Sequence, residues 1–202
     1  MLAIIDAAGW PIWPLIAASI IALGIIGERL WALRRNVIAP RGLLEAVAQE
    51  YRAKGVSQEM LDRLSTQSLL GRVFAAGLRN ERNSREITKE SIEEAGRAAA
   101  HELGRFLTPL GTIASIAPIL GLFGTVIGMI EIFGAQNPAG ANPAQLAHGI
   151  SVALYNTAFG LMVAVPSMIF YRQFRSHADA MVVEMEQQAI KLVEVIHGER
   201  QG

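Results

Sequence analysis

The sequence contains no cysteine. That excludes disulfides, thiolate zinc sites and cysteine nucleophiles, and leaves the compartment open. Basic side chains are also missing from two long stretches: no Lys or Arg occurs in residues 1–28 or 106–171, although the 202-residue chain carries 18 of them. Arg29 stands alone, a dense group runs from Arg34 to Arg105, and Arg172, Arg175, Lys191 and Arg200 follow. A net charge of zero removes any global argument for a nucleic-acid partner. There is no HExxH, P-loop, GxSxG or dinucleotide fingerprint. His101, His148, His177 and His197 are scattered over separate segments. No enzyme activity, metal site or cofactor is expected from such a chain.

What is present is concentrated apolar sequence. A bilayer core is about 30 Å thick and takes about 20 apolar residues to cross as a helix. Three blocks reach that length, which gives an all-α membrane protein with three transmembrane helices and long cytoplasmic helical extensions. The expected organisation is a short periplasmic N-terminus (1–9), a first span (10–33), a cytoplasmic helical region (34–106), a second span (107–133), a periplasmic loop (134–145), a third span (146–171) and a cytoplasmic C-terminal helix (172–202). Orientation follows from the basic residues, which mark the cytoplasmic ends of spans. No basic n-region precedes the first span, which argues against a cleaved signal peptide. Trp10, Trp13 and Trp31 suit its interfacial belts. Glu28 and Arg29 read as an interfacial, snorkelling pair at its inner end.

The second span carries a stripe of small residues, Ala114, Ala117, Gly121, Gly124 and Gly128, at steps of three and four. The third has its own: Gly149, Ala153, Thr157, Gly160, Ala164 and Ser167. Such stripes lie on one helical face and let backbones approach closely, which is how membrane helices associate. Pro118 and Pro166 are the expected kinks. Thr125, Asn156 and Thr157 are the polar groups near mid-span, where a side chain tends to face a bundle interior or a cavity. Asn156 and Thr157 fit a polar pathway or plain hydrogen bonds to neighbouring helices. Glu131 reads either as an acidic residue at the outer interface or as part of an acidic mouth that concentrates cations. The central turns of the second and third spans hold no Asp, Glu, Lys or Arg. If ions pass, the titrating group arrives on another chain.

Between the first two spans, GLLEAVAQEYRAK, SQEMLDRLSTQ and SLLGRVFAAGLRN predict three short amphipathic helices. Ser84 caps a fourth, with Ile87, Ala95, Ala98, Ala99, Leu103 and Phe106 on its apolar side. With no clear breaker before Leu107, this helix is expected to run straight into the second span. After Tyr171, Ala178, Met181, Met185, Ala189, Leu192 and Val195 repeat in heptad-like steps, so the third span is expected to continue as helix until Gly198.

The run IAPILGLFGTVIGMI, followed by GISVALYNTAFGLMVAVPSMIFYRQF, resembles the MotA/TolQ/ExbB proton-channel family. Three spans, a large loop after the first and this length make it most similar to an ExbB/TolQ-type subunit. The resemblance implies a homo-oligomer, a pentamer in the bacterial inner membrane, enclosing the dimer of an ExbD/TolR-like single-span protein. A partner aspartate would carry the proton, proton flow would drive work in the cell envelope, and a TonB-like protein is a further partner. The family's pore threonines correspond to Thr125 and Thr157. Where its members commonly carry a glutamate five residues before the second threonine, this chain has Val152. A non-conducting membrane scaffold that assembles a partner protein explains the same stripes without ion flow.

Overall fold

The computed structural model describes residues 8–134 and 143–198. Most of the expected loop 134–145 and of the N-terminal segment 1–9 therefore lies outside the described residues. Among the described residues these helices follow one another: α1 (Ile12–Ala32), α2 (Arg35–Ile38), α3 (Leu43–Lys54), α4 (Gln58–Gln67), α5 (Leu69–Arg79), α6 (Arg85–Leu103), α7 (Leu107–Gly134) and α8 (Pro143–Ile196). Among the described residues there is no strand. Three helices are long and apolar enough to cross a membrane: α1, α7 and the apolar part of α8.

The chain divides into two compact units. The membrane unit is Met1–Glu28 with Phe106–Gln173, and the second unit is Arg29–Arg105 with Phe174–Gly202. In the membrane unit, α7 buries Leu107, Leu110, Ala114, Ala117, Gly121, Gly124, Gly128 and Ile132. These are the small-residue stripe extended by a bulky residue or two at each end. Its other side, including Ile119, Leu122, Val126 and Ile130, is exposed apolar surface. A helix that is apolar all round but buried on one side suits a bilayer, where lipid replaces water as the solvent. Leu15 of α1 joins Ala117 and Ala164 in one cluster, with Leu120, Phe159 and Val163 packed around it.

In the second unit the short helices begin where serines supply an acceptor. Ser57 Oγ accepts from Met60 N at 3.2 Å, Ser68 Oγ from Gly71 N at 3.0 Å, and Ser84 Oγ from Ile87 N at 3.5 Å. Each satisfies one of the N–H groups that a helix start leaves free. The core combines Leu70, Val73, Phe74 and Leu78 of α5 with Ala178, Met181, Met185, Ala189 and Leu192 of α8, all buried. The 54 residues of α8 form one helix and contribute to both units; Gly198, at φ +73°, follows its end.

Three expectations need correcting. First, α6 does not run into α7. It ends at Leu103, residues 104–106 form a turn, and Phe106 has φ +61°. That value lies in the left-handed region, which costs a bulky side chain roughly 1–2 kcal/mol. Second, Arg29 does not snorkel. It is 4% exposed, and its Nη1 donates to the carbonyl oxygens of Leu103 (3.2 Å) and Glu102 (3.4 Å). These two facts belong together. The guanidinium takes carbonyls at the C-terminus of α6, where the helix dipole favours a cation, and Gly104 supplies a residue of low helix propensity there. Third, α6 buries Thr88, Ile92, Ala99 and Leu103, while Ile87 is 46% exposed. Thr88 can be buried because its hydroxyl donates toward the carbonyls of Asn80 (3.0 Å) and Ser84 (3.2 Å).

Candidate functional site in the seam of the membrane unit

The two small-residue stripes meet each other. A Cβ placed on Gly121 would lie 2.8 Å from the Asn156 carbonyl oxygen and 3.2 Å from the Cα atoms of Thr157 and Gly160. One on Gly128 would lie 2.8 Å from the Gly149 carbonyl oxygen and 3.0 Å from Ala153 N. From the other side, a Cβ on Gly160 would stand 2.7 Å from the Ala117 carbonyl oxygen. The obstacles are backbone atoms, which have no rotamer by which to move aside. Helices α7 and α8 are therefore in backbone contact along Ala117–Gly128 and Gly149–Gly160. Ala114, Ala153 and Ala164 are buried along the same faces. Both helices run through their prolines, Pro118 and Pro166, as continuous helix.

Asn156 sits in the middle of this seam and is fully buried. Its Nδ2 donates to the carbonyl oxygens of Val152 and Ala8, both at 2.8 Å. Both partners only accept, so the amide group must turn its nitrogen toward them. The Oδ1 atom has no hydrogen-bond partner among the described residues. The carboxamide thus ties Ala8, four residues ahead of α1, to the third span, rather than facing a free surface of the protomer. Trp10, in the turn between Ala8 and α1, meets Phe123 edge to face with ring centroids 6.1 Å apart. Sequence reading missed the Ala8 contact because the acceptor is a backbone carbonyl 148 positions away. The available signal was the isolated Asn itself, a costly group to bury in hydrocarbon unless it is paired.

Thr112, Ser115, Thr125, Ser151 and Ser167 each donate to a carbonyl three or four residues earlier on their own helix, at 2.6–2.9 Å. Thr157 does not. Its Oγ1 is enclosed and has no partner among the described residues. Thr125 is half-buried, donates to the Leu122 carbonyl oxygen, and lines an open groove with Val126, Met129, Ile130 and Phe133. Glu131 lies near the end of α7 and is exposed. Val152, at the position of the family's glutamate, is buried at 2% exposure beside Ala153. The structure thus brings Gly121, Gly124, Asn156, Thr157 and Gly160 together, sets Thr125 on a groove, and leaves Glu131 at a helix end. Among the described residues, no three His, Asp or Glu side chains gather closely enough to hold a metal ion.

Comparison with known proteins bears on what this seam serves. The family model for the MotA/TolQ/ExbB proton channel family matches residues 65–187. The chain is 28% identical to the biopolymer transport protein exbB1 of Vibrio cholerae over 86% of its own length and 78% of that protein. It is 29% identical to the Tol-Pal system protein TolQ of Pseudomonas aeruginosa, covering 83% of this chain and 78% of the relative. It is 32% identical to the biopolymer transport protein ExbB of Salmonella typhimurium over 63% of this chain, which spans about half (51%) of that protein.

Proposed function

The chain belongs to the MotA/TolQ/ExbB proton channel family, and we propose that it is an ExbB/TolQ-like stator subunit whose proton carrier is supplied by another chain. The observation that carries this reading is a chemical absence set in a polar frame. Residues 107–130 and 149–171 contain no Asp, Glu, His, Lys or Arg. Hydroxyls and carboxamides can hold a hydrogen-bonded path, but they do not bind and release a proton at neutral pH. The side chain that does so comes from an ExbD/TolR-like single-span protein, whose membrane aspartate moves beside Thr125 and Thr157. Thr157, whose enclosed hydroxyl has no partner among the described residues, supports that assignment best. A pentamer in the bacterial inner membrane, with its N-terminus periplasmic and its C-terminus cytoplasmic, encloses a dimer of the partner. Asn156 serves this frame by holding α8 to Ala8, just ahead of α1. Glu131, exposed at the end of α7, offers a negative charge at the outer mouth. Each proton that descends 100 mV releases about 2.3 kcal/mol, which the complex delivers as work on the envelope, such as TonB-type import.

The test is proton flux into proteoliposomes of this chain purified with its single-span partner. Flux that disappears when the partner's membrane aspartate is changed to asparagine, and falls at least tenfold in Thr125→Val/Thr157→Val, is the expected result. Unaltered flux in the double variant removes the two threonines from the pathway. An intact complex without flux, whose partner still needs this chain to assemble, would establish the scaffold reading instead.

A further inference from the structure

The end of the first span builds a groove in the second unit that the channel reading does not use. Its walls include Arg29, Trp31, Val37, Thr66, Ser68 and Arg72. Three properties coincide there. The first is depth. α1 is a membrane span that ends at Ala32, so Trp31 and the residues just after it stand where hydrocarbon gives way to headgroups. The second is charge. Arg29 and Arg72 both face the groove, and among the described residues Glu102 is the one acidic residue lining it. Arg72 Nη2 holds the Glu102 carboxylate at 2.7 Å, which leaves other N–H donors on the same guanidinium and a net positive charge on the three groups together. The groove also contains Ser68 and Leu69, the cap and first residue of α5, beside Ser65, Thr66 and Gln67 of the last turn of α4; the partial charges of these two helix ends offset each other, so the guanidiniums carry the positive charge, and the start of α5 offers N–H donors. The third is an apolar rim: Trp31 is 64% exposed and Val37 43% exposed.

We propose that this groove binds the phosphate headgroup of an anionic phospholipid. Arg72 and the start of α5 receive the phosphate oxygens, Arg29 contributes charge from its buried position, and Trp31 and Val37 lie against the glycerol and upper acyl chain. A soluble anion shares the phosphate chemistry and would use the guanidinium in the same way. The apolar rim at headgroup depth is what favours the lipid, because free phosphate gains nothing from an exposed Trp or Val. The proposal rests on the membrane assignment of α1 and not on proton conduction.

The full-length protein, in nanodiscs of phosphatidylcholine alone or mixed with phosphatidylglycerol, is released into a native mass spectrometer and its retained lipids are counted. Retention of phosphatidylglycerol in preference to phosphatidylcholine is expected. Arg72→Gln should weaken it roughly tenfold, the loss expected when one charge-assisted hydrogen bond is removed. Arg97→Gln, an exposed arginine outside the groove, should leave it unchanged. Equal retention of the two lipids by the wild-type protein would overturn the proposal without recourse to any variant. So would an equal effect of the two substitutions, or stripping of the lipid by millimolar inorganic phosphate, which would make the groove a soluble-anion site. Proton flux is not read in this experiment, so its outcome is separate from that of the channel reading.

Discussion

A Cβ on Gly124 would lie 2.4 Å from the Cβ of Asn156, so these two residues share one place in the seam and only one of them can have a side chain. The conflict is at the first side-chain atom, which is fixed by the backbone. Gly124→Ala is therefore expected to destabilise the membrane unit by about 1–3 kcal/mol, the usual cost of overpacking. Shortening the neighbour to alanine should not rescue it, because the clashing Cβ remains.

The same reasoning separates the glycines of the chain. Gly121 and Gly128 oppose backbone atoms of α8, whereas Gly24 and Gly27 of α1 have nothing within 4 Å of a Cβ. Alanine at 121 or 128 should lower the melting temperature in detergent, while alanine at 24 or 27 should be neutral or raise stability by up to about 1 kcal/mol through helix propensity. A melting series in which all four behave alike would show that backbone contact in the seam does not set stability.

Arg29 gives a prediction about the break before the second span. Removing its guanidinium with Arg29→Gln leaves buried carbonyls at the end of α6 without their charged donor, at an expected cost of about 1.5–3 kcal/mol. Amide hydrogen exchange should accelerate at residues 100–105, since Gly104 N and Arg105 N bond within that turn. Arg29→Lys keeps the charge but not the forked donor, and should fall between the two. Unchanged exchange in Arg29→Gln would remove the cap from the account of why α6 ends.

Tyr51 offers a pH-dependent readout in the second unit. Burial raises its phenol above the ordinary tyrosine value, and the Glu81 carboxylate, by charge and by accepting its hydrogen bond, raises it further. A raised value means the fold prefers the neutral phenol. The resulting stabilisation is complete below the unfolded value of about 10 and is lost as pH rises through the folded value. With ring-labelled tyrosine, the resonance that Tyr51→Phe removes should titrate above the ordinary range. It should move down, without reaching that range, in Glu81→Gln. Titration at the ordinary value in the wild-type protein would contradict the arrangement.

The spans and the seam were legible because both depend on composition at fixed spacing. Missing charge marks hydrocarbon, and Gly or Ala at steps of three and four marks the face where a backbone approaches, with no need to know the partner. The serine cap at 84 is equally local; those at 57 and 68 are of the same kind, although the sequence reading did not name them. What escaped depends on distant groups. The stop after Leu103 is made by a guanidinium 74 residues away as well as by Gly104, and no proline announces it. Thr88 looks like a surface residue beside Ile87, yet hydroxyl bonds to Asn80 and Ser84 make it the buried one. Mid-span polarity at Asn156 was visible, but nothing local distinguishes a polar pathway from a clamp.

Asn156 itself can decide between those roles through its stability signature. Of its two bonds, the one to the Val152 carbonyl is local to α8, and the one to Ala8 crosses to the segment ahead of α1. Asn156→Leu keeps the volume and removes the donor, leaving the Ala8 carbonyl to find another partner in an apolar seam, at about 1–3 kcal/mol. Asn156→Asp should be worse at neutral pH. An ionised carboxylate only accepts, and it would face two carbonyl oxygens in a site built to receive N–H groups. The expected order of melting temperatures is therefore Asn, then Leu, then Asp. Because Trp10, two residues after Ala8, stands against Phe123 of α7, loosening should also shift the tryptophan emission of a variant that retains Trp10 alone. If Asn156→Leu melts like the wild type with Trp10 emission unmoved, the carboxamide is not what fastens the first span, and its place in the seam would have to be explained by the path of the proton instead.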